Sequence, residues 1–578
     1  MLRRLREPAS AHTMTPSTSP LSRCTVPAGL GAALALLAVA SACKETARPS
    51  GPQWFADDTD ARGLQFRHST GADGTLQLPE TMGGGVALWD LDGDDDLDAI
   101  LVNCGAQPSE THRVFLQEAD GSFRDATQAS GMGTSDRGMG LAIGDIDNDG
   151  DPDVYLTAYG PDRLFRNRGD GTFEDATAAL GIDVPGWSAS AAFLDYDRDG
   201  RLDLYVTQYV ANDPDKTCAH RSGHRDYCSP DAFPAVSDIL LHNEGGSFRD
   251  VSEAAGLKAL RGAGLGVVCD DFNDDGWVDV YVANDGDANQ LWTNQQDGTF
   301  RDDAVLLGAA FNMNGKPEAG MGVIAADFDQ DLDMDLFVTH LDNESNTFYR
   351  NGGPASGFVD ATAVSGLARS STRFTGFGAV AFDAELDGDL DIFVVNGRVQ
   401  RGTENLGTHL KDPWGYYAES DLFLLNDGRG SFTAQGDEVA EMCATPRMSR
   451  GLAMGDLDHD GDLDLLVGNL EDRARVFRNE VPREGSWLQV RAIDPELKRD
   501  ALGTRVTITY GGTRATRTVG AGFSYLSCSE PVAHFGLGDA ERIDAIEVRW
   551  PDGTTETHEG VGVDRRIELV RGEGVREP

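Results

Sequence analysis

The sequence predicts an all-β protein, a seven-bladed propeller followed by a small β sandwich or barrel. Three observations carry that prediction. An acidic nine-residue stretch recurs seven times, beginning at Asp90, Asp145, Asp195, Asp271, Asp327, Asp383 and Asp456. Each copy is flanked by short β-rich runs, about four per unit, and four of the six intervals between copies are 50–56 residues, the length of a propeller blade. After Asn479 the acidic stretches stop and the composition changes.

The repeat is Asp145-Ile146-Asp147-Asn148-Asp149-Gly150-Asp151-Pro152-Asp153 in its second copy, with side-chain oxygens at positions 1, 3, 5 and 9. The same positions hold Asp90, Asp92, Asp94 and Asp98 in the first copy and Asp195, Asp197, Asp199 and Asp203 in the third. They hold Asp271, Asn273, Asp275 and Asp279 in the fourth, and Asp327, Asp329, Asp331 and Asp335 in the fifth. The sixth has Asp383, Glu385, Asp387 and Asp391, the seventh Asp456, Asp458, Asp460 and Asp464. The seven copies hold 34 of the chain's 96 carboxylates, and crowding of that kind is unfavourable unless a cation sits among the oxygens. Ca²⁺, which takes six to eight hard oxygen ligands, is the expected occupant, up to seven ions in all.

An EF-hand would place a bidentate Glu at position 12 and helices on both sides. Position 12 is instead Leu101, Leu156, Val206, Val282, Val338, Val394 and Val467, and the flanks are β-rich, so each unit reads as strand, acidic turn, strand. Where position 6 is Gly, the sharp turn is free to adopt positive φ. The first copy has Asp95 there and the fifth Leu332, which tolerates it poorly. Copies two and seven are therefore expected to bind tightest and copy five most weakly.

The chain begins with a leader. Arg3, Arg4, Arg6 and Arg23 precede an apolar run over residues 28–40, too short to span a bilayer. Small residues Ala40, Ser41 and Ala42 come directly before Cys43, the pattern of a bacterial lipoprotein signal with lipid on the Cys43 thiol; an ordinary secretory peptide is the alternative, and Met14 is a candidate start. Residues 1–42 are thus expected as the signal and 43–53 as a linker, giving an outer-membrane or cell-surface lipoprotein, or otherwise a periplasmic or secreted protein. Removing the four Arg and one Glu of the leader takes the formal charge from −47 to about −50, so nucleic acid and anionic membrane surfaces are poor partners. The membrane is expected to be met only through the anchor.

Residues 54–480 form the expected propeller. Asn167, Asn243, Asn294, Asn351, Asn426 and Asn479 each end an apolar run, and a Phe-x-Asp element follows most of them. Trp54-Phe55-Ala56-Asp57 resembles that element displaced to the N-terminus, where it would complete the seventh blade and close the ring. Two intervals exceed the period by about twenty residues. One holds Cys218, His220, His224 and Cys228; their spacing fits no common zinc module, and Cys218 and Cys228 are expected to pair in an oxidising compartment. The other holds Trp414, Tyr416 and Tyr417, a set that packs the loop or stacks on a sugar ring. Long insertions in repeat proteins gather on one face and often bind. Residues 481–578 read as a separate all-β domain.

The acidic hairpins are similar to the FG-GAP/VCBS repeats of integrin α-subunit propellers. That resemblance implies one Ca²⁺ per loop, held by side chains at positions 1, 3, 5 and 9 and by the main-chain carbonyl at position 7, here Asp96, Asp151, Arg201, Trp277, Asp333, Asp389 and Asp462. The tail carries Gly520-Ala521-Gly522-Phe523-Ser524-Tyr525-Leu526-Ser527, then His534-Phe535-Gly536-Leu537-Gly538, then Val548-Arg549-Trp550-Pro551-Asp552-Gly553, and resembles the ASPIC/UnbV domain. Together the two resemble the cartilage-acidic-protein-like family, which implies an extracellular calcium-binding protein without an agreed catalytic activity.

No metal-ligand His spacing, nucleophile elbow or phosphate-binding loop stands in the required setting, and carboxylates on a cation are poor proton shuttles. His68 and His534 are expected as hydrogen-bonded structural residues. The expectation is a non-enzymatic, calcium-dependent binding or adhesion module for an extracellular protein or glycan; the alternative is an enzyme, or an accessory subunit of one, acting on an exported substrate.

Overall fold

The computed structural model describes residues 54–577 except 106, 220–222, 437–440, 484 and 521, with side chains 441–442 also undescribed. The leader, the linker, Cys43 and His220 lie outside the described residues.

Alternation of small apolar and acidic segments builds a repeated four-stranded antiparallel sheet. In the second sheet Gly138–Gly144 runs into the acidic turn, Asp153–Ala158 returns, and Arg163–Asn167 and Phe173–Asp175 complete it. Seven such sheets occur among the described residues, and position 9 of the acidic stretch begins the second strand in every one. The last sheet, Ser449–Gly455, Asp464–Asn469 and Arg475–Asn479, takes its fourth strand from Phe55–Asp57, so the first described strand joins the two ends of the repeat array. The first strands of successive sheets pack side by side, and that of the first sheet, Val86–Trp89, lies against that of the seventh.

The recurrent Asn residues tie this ring together. The side-chain amide of Asn167 donates to Leu91 O (2.9 Å), in the acidic turn of the preceding sheet. Asn243, Asn294, Asn351, Asn426 and Asn479 do the same to Ile146, Tyr196, Phe272, Phe328 and Ala384. Gln117 completes the circuit by donating to Leu457 O (3.2 Å) in the seventh turn.

The C-terminal residues form two sheets around one apolar core that includes Val490, Ile508, Phe535, Ile546, Trp550 and Ile567. One sheet holds Trp487–Asp494 beside Val532–Gly536 and Arg565–Val570; the other holds Thr504–Tyr510 between Thr513–Val519 and Ala545–Arg549. These sheets are not set apart from the propeller. Residues 522–529 leave them and run into the propeller axis. Leu88 and Leu141 donate main-chain bonds to Cys528 O and Leu526 O, and Val323 exchanges two with Ser524. Leu526 N donates to Ser190 Oγ (3.1 Å), Ala379 N to Ser524 Oγ (3.1 Å), and Val86 N and Leu452 N to Ser527 Oγ (3.3 and 3.1 Å). The segment thereby bonds the inner strands of six of the seven sheets. Tyr525 is fully buried, stacks edge-on against Phe377 (4.9 Å) and donates to Met82 O (2.8 Å).

Small residues on the inner strands permit this. A Cβ on Gly85 would stand 2.1 Å from Leu526 O. The space such glycines leave beside the axis is filled by the chain's own segment 522–529.

Ser527→Ala would leave the Val86 and Leu452 amides buried without an acceptor, at a cost of about 1–3 kcal/mol each. Urea unfolding of this variant is expected to show a loss of several kcal/mol in the transition of the whole protein; a loss confined to a separate C-terminal transition would contradict the interlocked axis.

Candidate functional site

The acidic stretches fold alike in all seven sheets because the backbone donates to their carboxylates at fixed places. Position 1 accepts the position 6 amide at 2.7–3.1 Å: Asp95 to Asp90, Gly150 to Asp145, Gly200 to Asp195, Gly276 to Asp271, Leu332 to Asp327, Gly388 to Asp383 and Gly461 to Asp456. Position 9 accepts twice. Its Oδ2 takes the position 2 amide, and its Oδ1 takes the amide of the recurrent Asn, or of Gln117, at 2.7–2.9 Å. Position 5 accepts the position 7 amide, as Asp149 does from Asp151 (3.1 Å).

Two residues per turn take the left-handed conformation. Position 6 does so with Gly in five turns and with Asp95 (φ 71°) and Leu332 (φ 77°) in the others, so the fifth turn closes like the rest despite its Leu. Position 4 is left-handed as well, at Gly93, Asn148, Arg198, Asp274, Gln330, Leu386 and His459, a requirement hidden in the sequence by the variety of residues that meet it.

Positions 1, 3 and 9 converge. Within each of the sets Asp90/Asp92/Asp98, Asp145/Asp147/Asp153, Asp195/Asp197/Asp203 and Asp327/Asp329/Asp335, ligand oxygens lie within 4.8 Å of one another. His242 joins Asp197 and Asp199 in a further group and stands 3.0 Å from Asp203 Oδ1. Position 7 side chains differ from turn to turn: Asp96 bonds His459 (3.0 Å), Asp389 bonds Gln330 (2.6 Å), Trp277 lies beneath the Arg198 guanidinium (3.9 Å), and Arg201 pairs back onto Asp199 of its own turn. Among the described residues, buried Asp92 Oδ1, Asp329 Oδ1 and Asp462 Oδ1 have no hydrogen-bond partner.

Burial pushes the position 9 carboxyls far up despite their amide donors, to about 8 for Asp98, Asp153 and Asp279 and about 9 for Asp203 and Asp335. Asp145, Asp195, Asp327 and Asp456 at position 1 rise to about 6 for the same reason. A positive ion among these oxygens would reverse that desolvation penalty and supply the partner that the orphaned oxygens lack. Apart from His242 beside the third turn, the donors are oxygens, a set that fits a hard cation such as Ca²⁺.

Sequence reasoning missed three features. Basic residues directly before the recurrent Asn face position 3: Arg166 pairs with Asp147 (3.1 Å) and Arg350 with Asp329 (2.8 Å). Arg483 of the connecting segment pairs with Asp460 and Asp462 in the seventh turn. The third feature is the C-terminal domain, which sits on the acidic turns. Arg499 donates to Asn148 Oδ1 (2.8 Å) and Gly200 O (3.3 Å). Arg505 and Arg549 pair with Asp270 and Asp271 (2.6 and 2.8 Å), and Arg549 reaches Asp274 (2.8 Å). The buried Arg517 charge faces Asp327 and Asp383, and Gln489 donates to Asp456 Oδ2 (2.7 Å). His534 bonds Gly461 O (2.9 Å), in line with the structural role expected of it. His68 departs from expectation: both its ring nitrogens are buried without a hydrogen-bond partner among the described residues, and burial beside Arg450 lowers its pKa to about 3.

The opposite end of the propeller carries both long insertions. Cys218 and Cys228 form a disulfide, so their sulfurs are not zinc ligands. Asp226 of that insertion accepts from Tyr417 Oη (2.8 Å) and from the Arg401 amide (2.9 Å) of the other, and Tyr227 donates to Glu80 (3.0 Å). Tyr417 is buried and Tyr416 lies under Arg401 (3.6 Å), so these rings pack the insertions together.

Acidic-turn sheets arranged in a ring and capped by a small β domain define an acidic-repeat propeller with a fused C-terminal module. Residues 90–156, 145–206 and 271–338 match the FG-GAP-like repeat, and residues 494–576 match the family described as ASPIC and UnbV. The chain carries FG-GAP-like repeats and a C-terminal ASPIC/UnbV domain, and it is homologous to cartilage acidic protein 1. It is 27% identical to that protein of Mus musculus over 319 residues and 28% identical to that of Xenopus tropicalis over 313, each match covering 53% of this chain and 44% of the relative. The match thus spans less than half the length of these relatives. Among solved structures, an Agrocybe aegerita lectin recognising non-reducing terminal N-acetylglucosamine is 16% identical, covering 67% of this chain and 84% of that one, with a TM-score of 0.35. The BP39L lectin from Burkholderia pseudomallei is 10% identical, covering 69% and 97%, with a TM-score of 0.40.

Asp92→Asn and Asp98→Asn separate the two jobs of these carboxylates. In chelator, Asp98→Asn is expected to lose about 1–3 kcal/mol of stability, because both Asp98 oxygens accept backbone amides. Asp92→Asn is expected to lose under about 0.5 kcal/mol in chelator yet to weaken calcium binding in titration. Equal destabilisation of the metal-free protein by both would contradict the division.

Proposed function

We propose that this is an exported, lipid-anchored, calcium-loaded propeller that binds an extracellular protein or glycan and has no catalytic role of its own. The observation that carries the reading is the convergence of positions 1, 3 and 9 in the acidic turns, with carboxylate oxygens left unpartnered in Asp92 and Asp329. Bound Ca²⁺ would cross-link the two strands of each hairpin and neutralise the turn. The match to FG-GAP-like repeats supports calcium as the ion. Export and attachment through Cys43 rest on the leader, and millimolar external calcium would fill even weak sites.

The C-terminal domain covers the acidic turns and its tail fills the axis, so the face built by the two insertions is where a ligand would meet the propeller. The rigid ring supports that face from below, as loops that bind are commonly held on a stiff scaffold.

Screening the mature protein against glycan and secreted-protein arrays, with calcium and again with chelator, is expected to give ligands retained only with calcium. Retention unchanged by chelator, or no ligand at all, would overturn this reading; turnover of an array substrate would favour the enzymatic one.

A further inference from the structure

A cavity of about 590 Å³ opens on the insertion face. It lies between the disulfide insertion, the turn at residues 341–343 and the segment 398–402, beyond the ends of second strands whose starts are the acidic turns. Its size is that of a small-ligand pocket. Its walls are fixed by the Cys218–Cys228 disulfide and by Asp226 of the same insertion, which accepts from Arg401 and Tyr417 of the other.

The lining divides by chemistry. Leu341, Val399 and Ala232 supply a partly buried apolar floor. Asp231 and Asp342 stand exposed on the rim, and neither carboxylate has a hydrogen bond or ion pair among the described residues. Two arginines also line the cavity, but both are engaged. Arg398 pairs with Glu419 (3.0 Å), while Arg401 stacks on Tyr416 and faces Asp412 (3.7 Å). Among the described lining residues, the charge left uncompensated at the mouth is therefore negative.

The geometry points to a docking site for one basic side chain, Arg or Lys, projected by a partner protein. Its alkyl stem lies on the apolar floor and its cationic head between Asp231 and Asp342, as long basic side chains bury the stem and keep the charge at the polar edge. A formal charge of −47 draws a cationic partner from a distance and repels an acidic one. This deepens the proposed ligand-binding role by naming the chemistry that the insertion face accepts, and it rests on that role.

The test uses the calcium-loaded full chain and short, end-blocked fluorescent peptides identical except for one central residue: Arg, Lys, Gln or Glu. Anisotropy is expected to show binding of the Arg and Lys peptides only, weakening with added salt. The double variant Asp231→Asn/Asp342→Asn is expected to bind the Arg peptide about tenfold or more weakly at an unchanged melting temperature. Asp213→Asn/Asp215→Asn removes the same charge from exposed positions of the same insertion outside the cavity and is expected to bind like the parent. No binding, equal binding of all four peptides, or equal loss in the two double variants would overturn the assignment. Array ligands retained undiminished by Asp231→Asn/Asp342→Asn would sink this site while leaving the general binding role standing. Arg-peptide binding unaffected by chelator would instead sink the calcium dependence and keep the site.

Discussion

The structure depends on how crowded carboxylates are held inside tight turns. Each acidic turn closes because its first and last Asp accept main-chain amides from opposite ends of the loop. Gly150 binds back to Asp145, while Ile146 and Asn167 bind to Asp153. Those bonds fix the turn but leave the charge. Amides alone do not offset burial, since Asp153 still sits at about 8. At neutral pH such a carboxyl holds its proton unless a cation among the oxygens, or an arginine that reaches them, favours the charged form.

The two sources meet at the same turns. Positions 1, 3 and 9 face one another within the hairpin, whereas Arg499, Arg505, Arg517 and Arg549 descend from the C-terminal domain onto the rim of the same turns. The domain thus rests on the turns, and its residues 522–529 bond the inner strands along the axis. The asparagine circuit links the turns sideways, because each side-chain amide that leaves one turn ends on the carbonyl of its neighbour.

Much of this was legible before any coordinates. The nine-residue repeat, its apolar twelfth position and the displaced Phe55–Asp57 strand specify the hairpins, the repeat and the closure, because each is a local pattern read against a fixed period. Cys218 and Cys228 lie close enough in sequence for their pairing to be read directly. The contacts that escaped are those between segments distant in sequence. Nothing local in Ser524 or Ser527 says that it will bond strands hundreds of residues away, and Arg505 looks like any basic residue on a strand. The asparagines were visible as a recurrence, yet their partner is a main-chain carbonyl, which leaves no mark in the sequence. Leu332 takes the left-handed conformation that its isolated preference opposes, held by its own turn, where its amide donates to Asp327 Oδ2.

The most direct test is the metal content of the purified mature protein set beside its melting temperature before and after exhaustive dialysis against EGTA. Several bound calcium ions per chain, with a large fall in melting temperature on their removal and recovery on readdition, are what this account predicts. A protein that carries no calcium and melts at the same temperature throughout would show that the arginines and amides suffice, and the account would be wrong.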